Sequence, residues 1–431
     1  MDVKVVRKGR NLIWQFVLDD SDGEYTDKIN MSDEKFSITL PRGFSTKEIH
    51  ADHLALISIL VAHPFVGTTL NLPFNVSERF ANATRGFTSY KVVHSSLAGN
   101  QYDAPTGAVP GLAFSGGADS TACLLLMPKS TVSVFMDRPN KNKTSMYNKT
   151  AAYATIKHAK KQGFEMHKIS CDVEYLRNPL GFPTDLVPSL PLLAIAQQRK
   201  IDSIAFGTVM ESAYRVGHKE ARNYAESHHY RLWGRLFKAA GLPLYLPVAG
   251  VSEVGTSKIV RESTFHHYTR SCIRGKWPNA CENCWKCFRK NMIEEKFSTG
   301  LVSEQYLGRG LGIKEVQLKL DKWPVSHENV LAWALQESLG HCNRLLSRRL
   351  EGTNRDLSYL ECFYPPSIDI IPNQYQEHTM RELRKHLSPM KESFFKTVTE
   401  HQMGPWLETD RAINAKNEFD DFMSMEFPTT S

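Results

Sequence analysis

Six residues, Ser115-Gly116-Gly117-Ala118-Asp119-Ser120, place two hydroxyls, two glycines and a carboxylate directly after an apolar run, Gly111-Leu112-Ala113-Phe114. Thr121 to Met127 then resumes with helix-compatible residues, so the string reads as a strand, a loop and a helix start. At such a junction backbone N–H groups and the positive end of the helix dipole face the loop, which suits an anion such as phosphate. Gly116 and Gly117 allow close backbone approach and positive φ. Ser115 and Ser120 add hydroxyl donors, and Asp119 is placed to hold Mg2+ or to orient the loop. A turn that merely ends a strand is the competing reading of a glycine pair. A second group lies later: Cys272, Cys281, Cys284 and Cys287, spaced C-x8-C-x2-C-x2-C. Four thiolates so spaced suit a closed tetrahedral zinc site with Zn–S bonds of about 2.3 Å. An iron–sulfur cluster is the rival, and His266 and His267 stand near enough in sequence to substitute as ligands.

Composition limits what can surround these groups. At 431 residues, two or three domains are expected. A net charge of +7 permits nucleotide or RNA binding without requiring either. No apolar run approaches the ~20 residues that span a bilayer, and Met1 to Asp20 lacks the pattern of a secretion signal. A cytoplasmic protein without membrane association is therefore expected, and in that reducing setting clustered cysteines point to metal rather than disulfides.

The elements that must position the two groups follow in order. Leu12–Leu18 and Phe36–Leu40 have strand character, and Thr46 is the expected N-cap of a helix whose face is Ile49, Leu54, Ile57 and Leu60. Asn71 to Ser96 shows no clear period, and Gly99 to Pro110 reads as a domain boundary. The chain then alternates: strand Val132–Met136 ending at Asp137-Arg138, helix Thr150–Gly163, strand His167–Cys171, helix Leu190–Lys200, and strand Ile201–Phe206 ending at Gly207. Alternation of this kind predicts an α/β fold, a parallel doubly wound sheet with helices on both faces and ligands beyond the carboxyl ends of its strands. The Ser115 loop, Asp137-Arg138 and Gly207 to Glu211 should meet at that edge. Arg215, His218, Lys219 and Arg222 make a basic stretch, either an exposed helix face or a surface for an anionic or protein substrate. Val330 to Leu335 and Leu345, Leu346 and Leu350 read as amphipathic helices, with acidic, aromatic Glu418–Phe422 beyond. The expected division is an N-terminal α/β region (1–105), a central domain (106–300) with the cysteine segment 272–287, and a helical C-terminal region (301–431).

The loop lacks the Gly-Lys-Ser/Thr ending of a Walker motif. It resembles instead the Ser-Gly-Gly-x-Asp-Ser loop of the PP-loop ATP pyrophosphatases, enzymes of HUP-like fold that cleave ATP between the α and β phosphates. Followed by this cysteine set, it is similar to the 7-cyano-7-deazaguanine synthase family, QueC. The resemblance covers about Gly111 to Phe297, including Phe182–Pro188, Ile204–Glu211, Leu246-Pro247-Val248 through Lys258, and Arg270 to Arg289. It implies structural zinc on the four cysteines, and ATP, Mg2+ and a small carboxylate such as 7-carboxy-7-deazaguanine as ligands. The acid would be adenylated with pyrophosphate release, and an amine would then give an amide or nitrile. Ser115, Asp119, Ser120 and Lys258 would take catalytic roles, while Phe114, Gly116, Gly117, Asp137, Gly207 and Glu211 would contact the nucleotide or base. Two segments depart from the family: Ser189-Leu190-Pro191 replaces Gly-Arg-Asn, and Ser212–His218 replaces Ser-Gly-Tyr-Pro-Asp. Enlarged QueC-like proteins of antiphage defence, of the Qat and type IV CBASS kind, share this layout, which implies a protein partner carrying the attacking amine. A tRNA-modifying PP-loop enzyme and a nucleotide-binding scaffold are the alternatives.

Overall fold

A computed structural model describes residues 1–141 and 147–427. Ten strands form one mostly parallel sheet, with helices packed against it. Its parallel half contains Val109–Ala113, Val132–Asp137, Glu165–Cys171, Ile201–Ala205 and Leu244–Tyr245. These lie in the spatial order fifth, fourth, first, second, third, every neighbouring pair parallel. In such an order the chain leaves the first strand in opposite directions, which opens a crevice at the carboxyl ends of the first and fourth strands. Successive side chains point to opposite faces, and two cores result. Leu112, Phe114, Phe135 and Tyr245 pack with Ala122 and Ile259 on one side; Val132, Val134, Ile201 and Ile204 pack with Leu190 to Ile195 on the other.

The other half comes from the first hundred residues and is mixed, antiparallel from Lys35–Thr39 through Asp2–Lys8 and parallel beyond. Lys35–Thr39 pairs with the end of Glu165–Cys171, through Ser170 opposite Thr39 and Cys171 opposite Ile38. Asn11–Val17, Asp2–Lys8, Thr69–Ser77 and Lys91–Gly99 extend the sheet in that order. Leu12, Trp14 and Phe16 alternate inward under the helix Ala51–Ala62, where the Trp14 indole donates to Ser58 Oγ at 3.0 Å. The region without an evident period is ordered too: Leu70, Leu72, Phe74 and Val76 are buried at every second position, and Pro73 points outward.

Two expected helices are corrected. The first begins at Ala51 and is capped by His50, whose Nδ1 accepts from the Asp52 N–H at 3.1 Å; Thr46 instead bonds the Gly9 carbonyl at 3.2 Å. The helix expected over Leu190–Lys200 stops at Leu193 and continues as turns that end at Lys200, whose φ is 52°.

The regions on either side of residues 105 and 300 share one core. One core cluster contains Trp14, Ile204, Phe288, Leu331 and Phe419 together. Tyr245 of the fifth parallel strand bonds Thr379 at 2.7 Å and stacks on Tyr375 at 5.0 Å. The C-terminal helices Glu328–Leu335, His341–Arg348 and Asp410–Glu426 contribute Leu331, Leu346, Phe419 and Phe422 to the interior. Among the described residues no helix is long and apolar enough to cross a membrane.

Candidate functional site

The loop sits at the crevice. Gly117 caps the helix Ala118–Leu126, and Gly116 has φ 80°. A Cβ on Gly116 would lie 2.9 Å from Ala152 Cα, so both conformation and space require glycine there. A Cβ on Gly207, beyond the fourth strand, would lie 2.8 Å from the Ser120 backbone nitrogen, so that strand end closes directly onto the helix start. The Ser115 and Ser120 hydroxyls stand 2.9 Å apart, and the Ser115 N–H donates to Ser120 Oγ at 3.2 Å. The Ala118 N–H, at the helix N-terminus, donates to Ser271 Oγ at 3.2 Å.

Behind the loop runs a chain of buried charge. Asp119 accepts from the Thr256 hydroxyl at 2.8 Å and from the Lys290 ammonium at 3.3 Å. Lys290 also lies 3.5 Å from Glu253, which Arg289 holds through both oxygens at 2.8 and 3.1 Å. Burial alone would make Lys290 easier to deprotonate, but Asp119 and Glu253 outweigh it and hold its pKa above the ordinary lysine value. Burial alone would likewise raise Glu253; Lys290 and Arg289, with His327, hold it below the usual carboxylate range. Deeper still, Glu211 is 1% exposed and accepts from Asn329 Nδ2 and the Glu253 N–H, both at 3.0 Å. Burial, reinforced by the charge on Glu253, pushes Glu211 up to about 8.

This shift has a measurable sign. Glu211 binds its proton more tightly folded than unfolded, so its contribution is fully present below the unfolded value near 4.5 and is lost as pH rises through about 8. The unfolding free energy is expected to fall by on the order of 2 kcal/mol between pH 6 and pH 9. Glu211→Gln should flatten that slope, as read by urea titration at the two pH values.

Two clefts flank the loop. One, of about 260 Å³, is lined by Ser115 and Gly117 together with Phe114, Phe135, Tyr147 and Phe182. On its wall the Arg138 guanidinium lies 3.3 Å above the Tyr147 ring and pairs with Glu174 at 2.8 Å. Its lining mixes these rings with Met136, Ile273 and the polar residues Arg138 and Lys286. The other, of about 420 Å³, meets the loop at Ala118 and presents Arg270, Lys286 and Lys290 with His266 and His267, facing Glu282 and Glu294. Arg270, Ser271, Cys272 and Lys286 form the wall between the two.

That wall belongs to the cysteine centre. The sulfurs of Cys272, Cys281, Cys284 and Cys287 all lie within 4.8 Å of one another. Tetrahedral bonds of about 2.3 Å require sulfur edges of about 3.8 Å, and Cys281 and Cys287 are 3.7 Å apart. The donor set therefore fits a zinc ion. Amides of Arg274 and Gly275 donate to Cys272 at 3.3 and 3.2 Å, the outer-shell bonds that orient a metal thiolate. His266 and His267 stand on the cationic cleft, outside this group of four thiols.

The structure brings Phe114, Ser115, Gly116, Gly117, Asp119, Ser120 and Gly207 together, and leaves three expected residues elsewhere. Lys258 lines neither cleft and faces Glu361 at 3.6 Å. Asp137 is held by Lys149 at 2.6 Å and Tyr153 at 2.8 Å, and its neighbour Arg138 lines the cleft instead. Glu211, buried under Glu253, has no face on either cleft.

A family of unknown function, DUF6395, matches residues 232–402. No curated protein and no solved structure matches the chain. The matched stretch holds Glu253, the four cysteines and Lys290 and runs on into the C-terminal helices, so it joins the metal centre to that region; it begins after the loop. Lys286, Lys290, Thr256 and Ser271 were not singled out from sequence. The signal for the lysines was their i, i+4 spacing, which puts both on one face of the helix Trp285–Thr299.

Proposed function

We propose that this protein is an ATP-dependent carboxylate-activating ligase with a fold of the PP-loop, HUP-like type. The observation that carries the reading is the glycine loop at the switch point of a doubly wound sheet, set between a cleft lined in part by rings and a cationic one. The flat ring of the nucleotide or acid would lie in the first cleft, near Phe182 and the Arg138–Tyr147 pair, while phosphate groups meet the loop, Lys286 and Lys290. A carboxylate is a poor acyl donor because its oxide leaves badly. Its oxygen attacks the α phosphorus, the bond to the β phosphate breaks, and pyrophosphate departs with the electron pair. An amine, ammonia or that of a partner protein, then attacks the acyl carbon, loses a proton and displaces AMP, giving an amide. The helix N-terminus and the lysines stabilise the charge that gathers on pyrophosphate. Asp119 already bonds Thr256 and pairs with Lys290, so the lysine places a cation at this position. Zinc on the four thiolates would hold the wall of both clefts in place.

Incubation with Mg-ATP, 7-carboxy-7-deazaguanine and ammonium is expected to release pyrophosphate, with Asp119→Ala reducing the rate by about a hundredfold or more. A folded, ATP-binding preparation that releases none with this or related planar acids overturns the reading.

A further inference from the structure

We infer that the cysteine centre and the anion seat of the loop are thermodynamically coupled through Ser271. Metal loading sets the affinity for a pyrophosphate-bearing ligand, and that ligand in turn holds the metal in. The inference rests on the reading above that the loop takes phosphate.

Two separate connections join the centre to the loop. Ser271 immediately precedes the ligand Cys272, and its hydroxyl accepts from the Ala118 N–H at 3.2 Å. The same residue packs flat on the loop, since a Cβ on Gly117 would stand 3.7 Å from Ser271 Oγ and 3.8 Å from its Cα. On the other side Cys284 is the N-cap of the helix Trp285–Thr299, its sulfur accepting from the Cys287 N–H at 3.4 Å. The first turn of that helix carries Lys286 to both clefts, and the next brings Lys290 to Asp119 at 3.3 Å. Fixing the four sulfurs on one ion therefore fixes an acceptor and two cations around the loop.

The Ser271 hydroxyl stands where an incoming phosphate oxygen would go. A backbone N–H has one proton to donate, so a phosphate oxygen takes the Ala118 amide only when Ser271 releases it. The released hydroxyl can then donate to the phosphate itself, which ties the ligand to the residue beside Cys272. Without metal, the eight residues between Cys272 and Cys281 keep their ties to neighbouring elements, Arg274 to Glu315 and the Trp277 N–H to Thr150 Oγ1 at 2.9 Å, but lose the link from Cys272 to Cys284 and Cys287, so the wall shared by the clefts is no longer fixed to the helix that carries Lys286 and Lys290. Coupling of this kind is reciprocal: whatever metal does for the anion, the anion does for the metal.

Metal-loaded protein, its zinc content fixed by elemental mass spectrometry, is mixed with a chromogenic chelator, with and without inorganic pyrophosphate. At equilibrium with the chelator, and after subtracting the zinc that pyrophosphate itself binds in a protein-free control, saturating pyrophosphate is expected to tighten metal binding by about fivefold or more, within the usual span of allosteric coupling. In Ser271→Ala the Ala118 amide remains, so pyrophosphate should still bind by calorimetry, yet the tightening should shrink to about twofold or less. Ser271→Thr, which keeps the hydroxyl, should restore it. Pyrophosphate that binds and leaves the wild-type metal affinity unchanged overturns the coupling, as does full tightening in Ser271→Ala. Absence of pyrophosphate binding to the metal-loaded wild type overturns the phosphate reading of the loop, and the coupling with it.

Discussion

Lys290→Met is expected to lower stability by about 3–5 kcal/mol, the usual cost of stripping one partner from a buried ion pair. Lys290 is the cation between Asp119 and Glu253, and its side chain is only 11% exposed. Methionine keeps most of the apolar stem and removes the charge, so the two carboxylates lose the group that separates them. Arg289 still neutralises Glu253, and Thr256 still donates to Asp119, which places the loss within that range rather than above it. The same change removes a positive charge from the cationic cleft, and affinity for pyrophosphate should fall by about tenfold or more. Urea unfolding and calorimetry read the two effects; a midpoint within error of wild type would show that the buried chain of charge contributes nothing to the fold.

Gly207→Ala comes next in size. Its added methyl would lie 2.8 Å from the Ser120 nitrogen and 2.9 Å from the Asp119 carbonyl carbon, both backbone atoms that cannot rotate away. Relief requires the helix Ala118–Leu126 to move off the fourth parallel strand. Overpacking of this kind costs about 1–3 kcal/mol, but the functional loss should exceed the loss of stability. A shift of a few tenths of an ångström at the helix start displaces the Ser120 hydroxyl and the Ala118 amide together. Binding of ATP should weaken by about a hundredfold while the protein stays folded by circular dichroism. Affinity unchanged in a folded Gly207→Ala protein would remove the loop from the binding site.

The strand, loop and helix at Ser115–Ser120 and the clustering of four cysteines were legible because each is encoded over a few adjacent residues. Gly116 adopts the positive φ that its type permits, and the C-x2-C turns converge as their spacing requires. The alternation of the parallel half was legible for the same reason. What the sequence hid is what distance in the chain hides. Lys258 and Lys290 look alike as residues; only the fold turns one to Glu361 and the other to Asp119. Glu211 reads as a carboxylate at a strand end, yet Asn329, far along the chain, comes over it and buries it. In Thr69–Ser77 a proline among asparagines masked a strict alternation. The glycine- and proline-rich stretch after Gly99 resembles a linker because it crosses from the far edge of the sheet to its parallel half; Tyr102 pins it there by donating to the Ile201 carbonyl at 2.9 Å.

The helix Ala51–Ala62 buries all but its first residue and rests on Leu190–Leu193, while Lys35–Thr39 abuts the tip of Glu165–Cys171. A polypeptide trimmed to begin at residue 106 would thus be no self-contained unit. It would bare leucines on one flank and raw peptide groups at one rim, the combination that makes a soluble protein stick to its own kind.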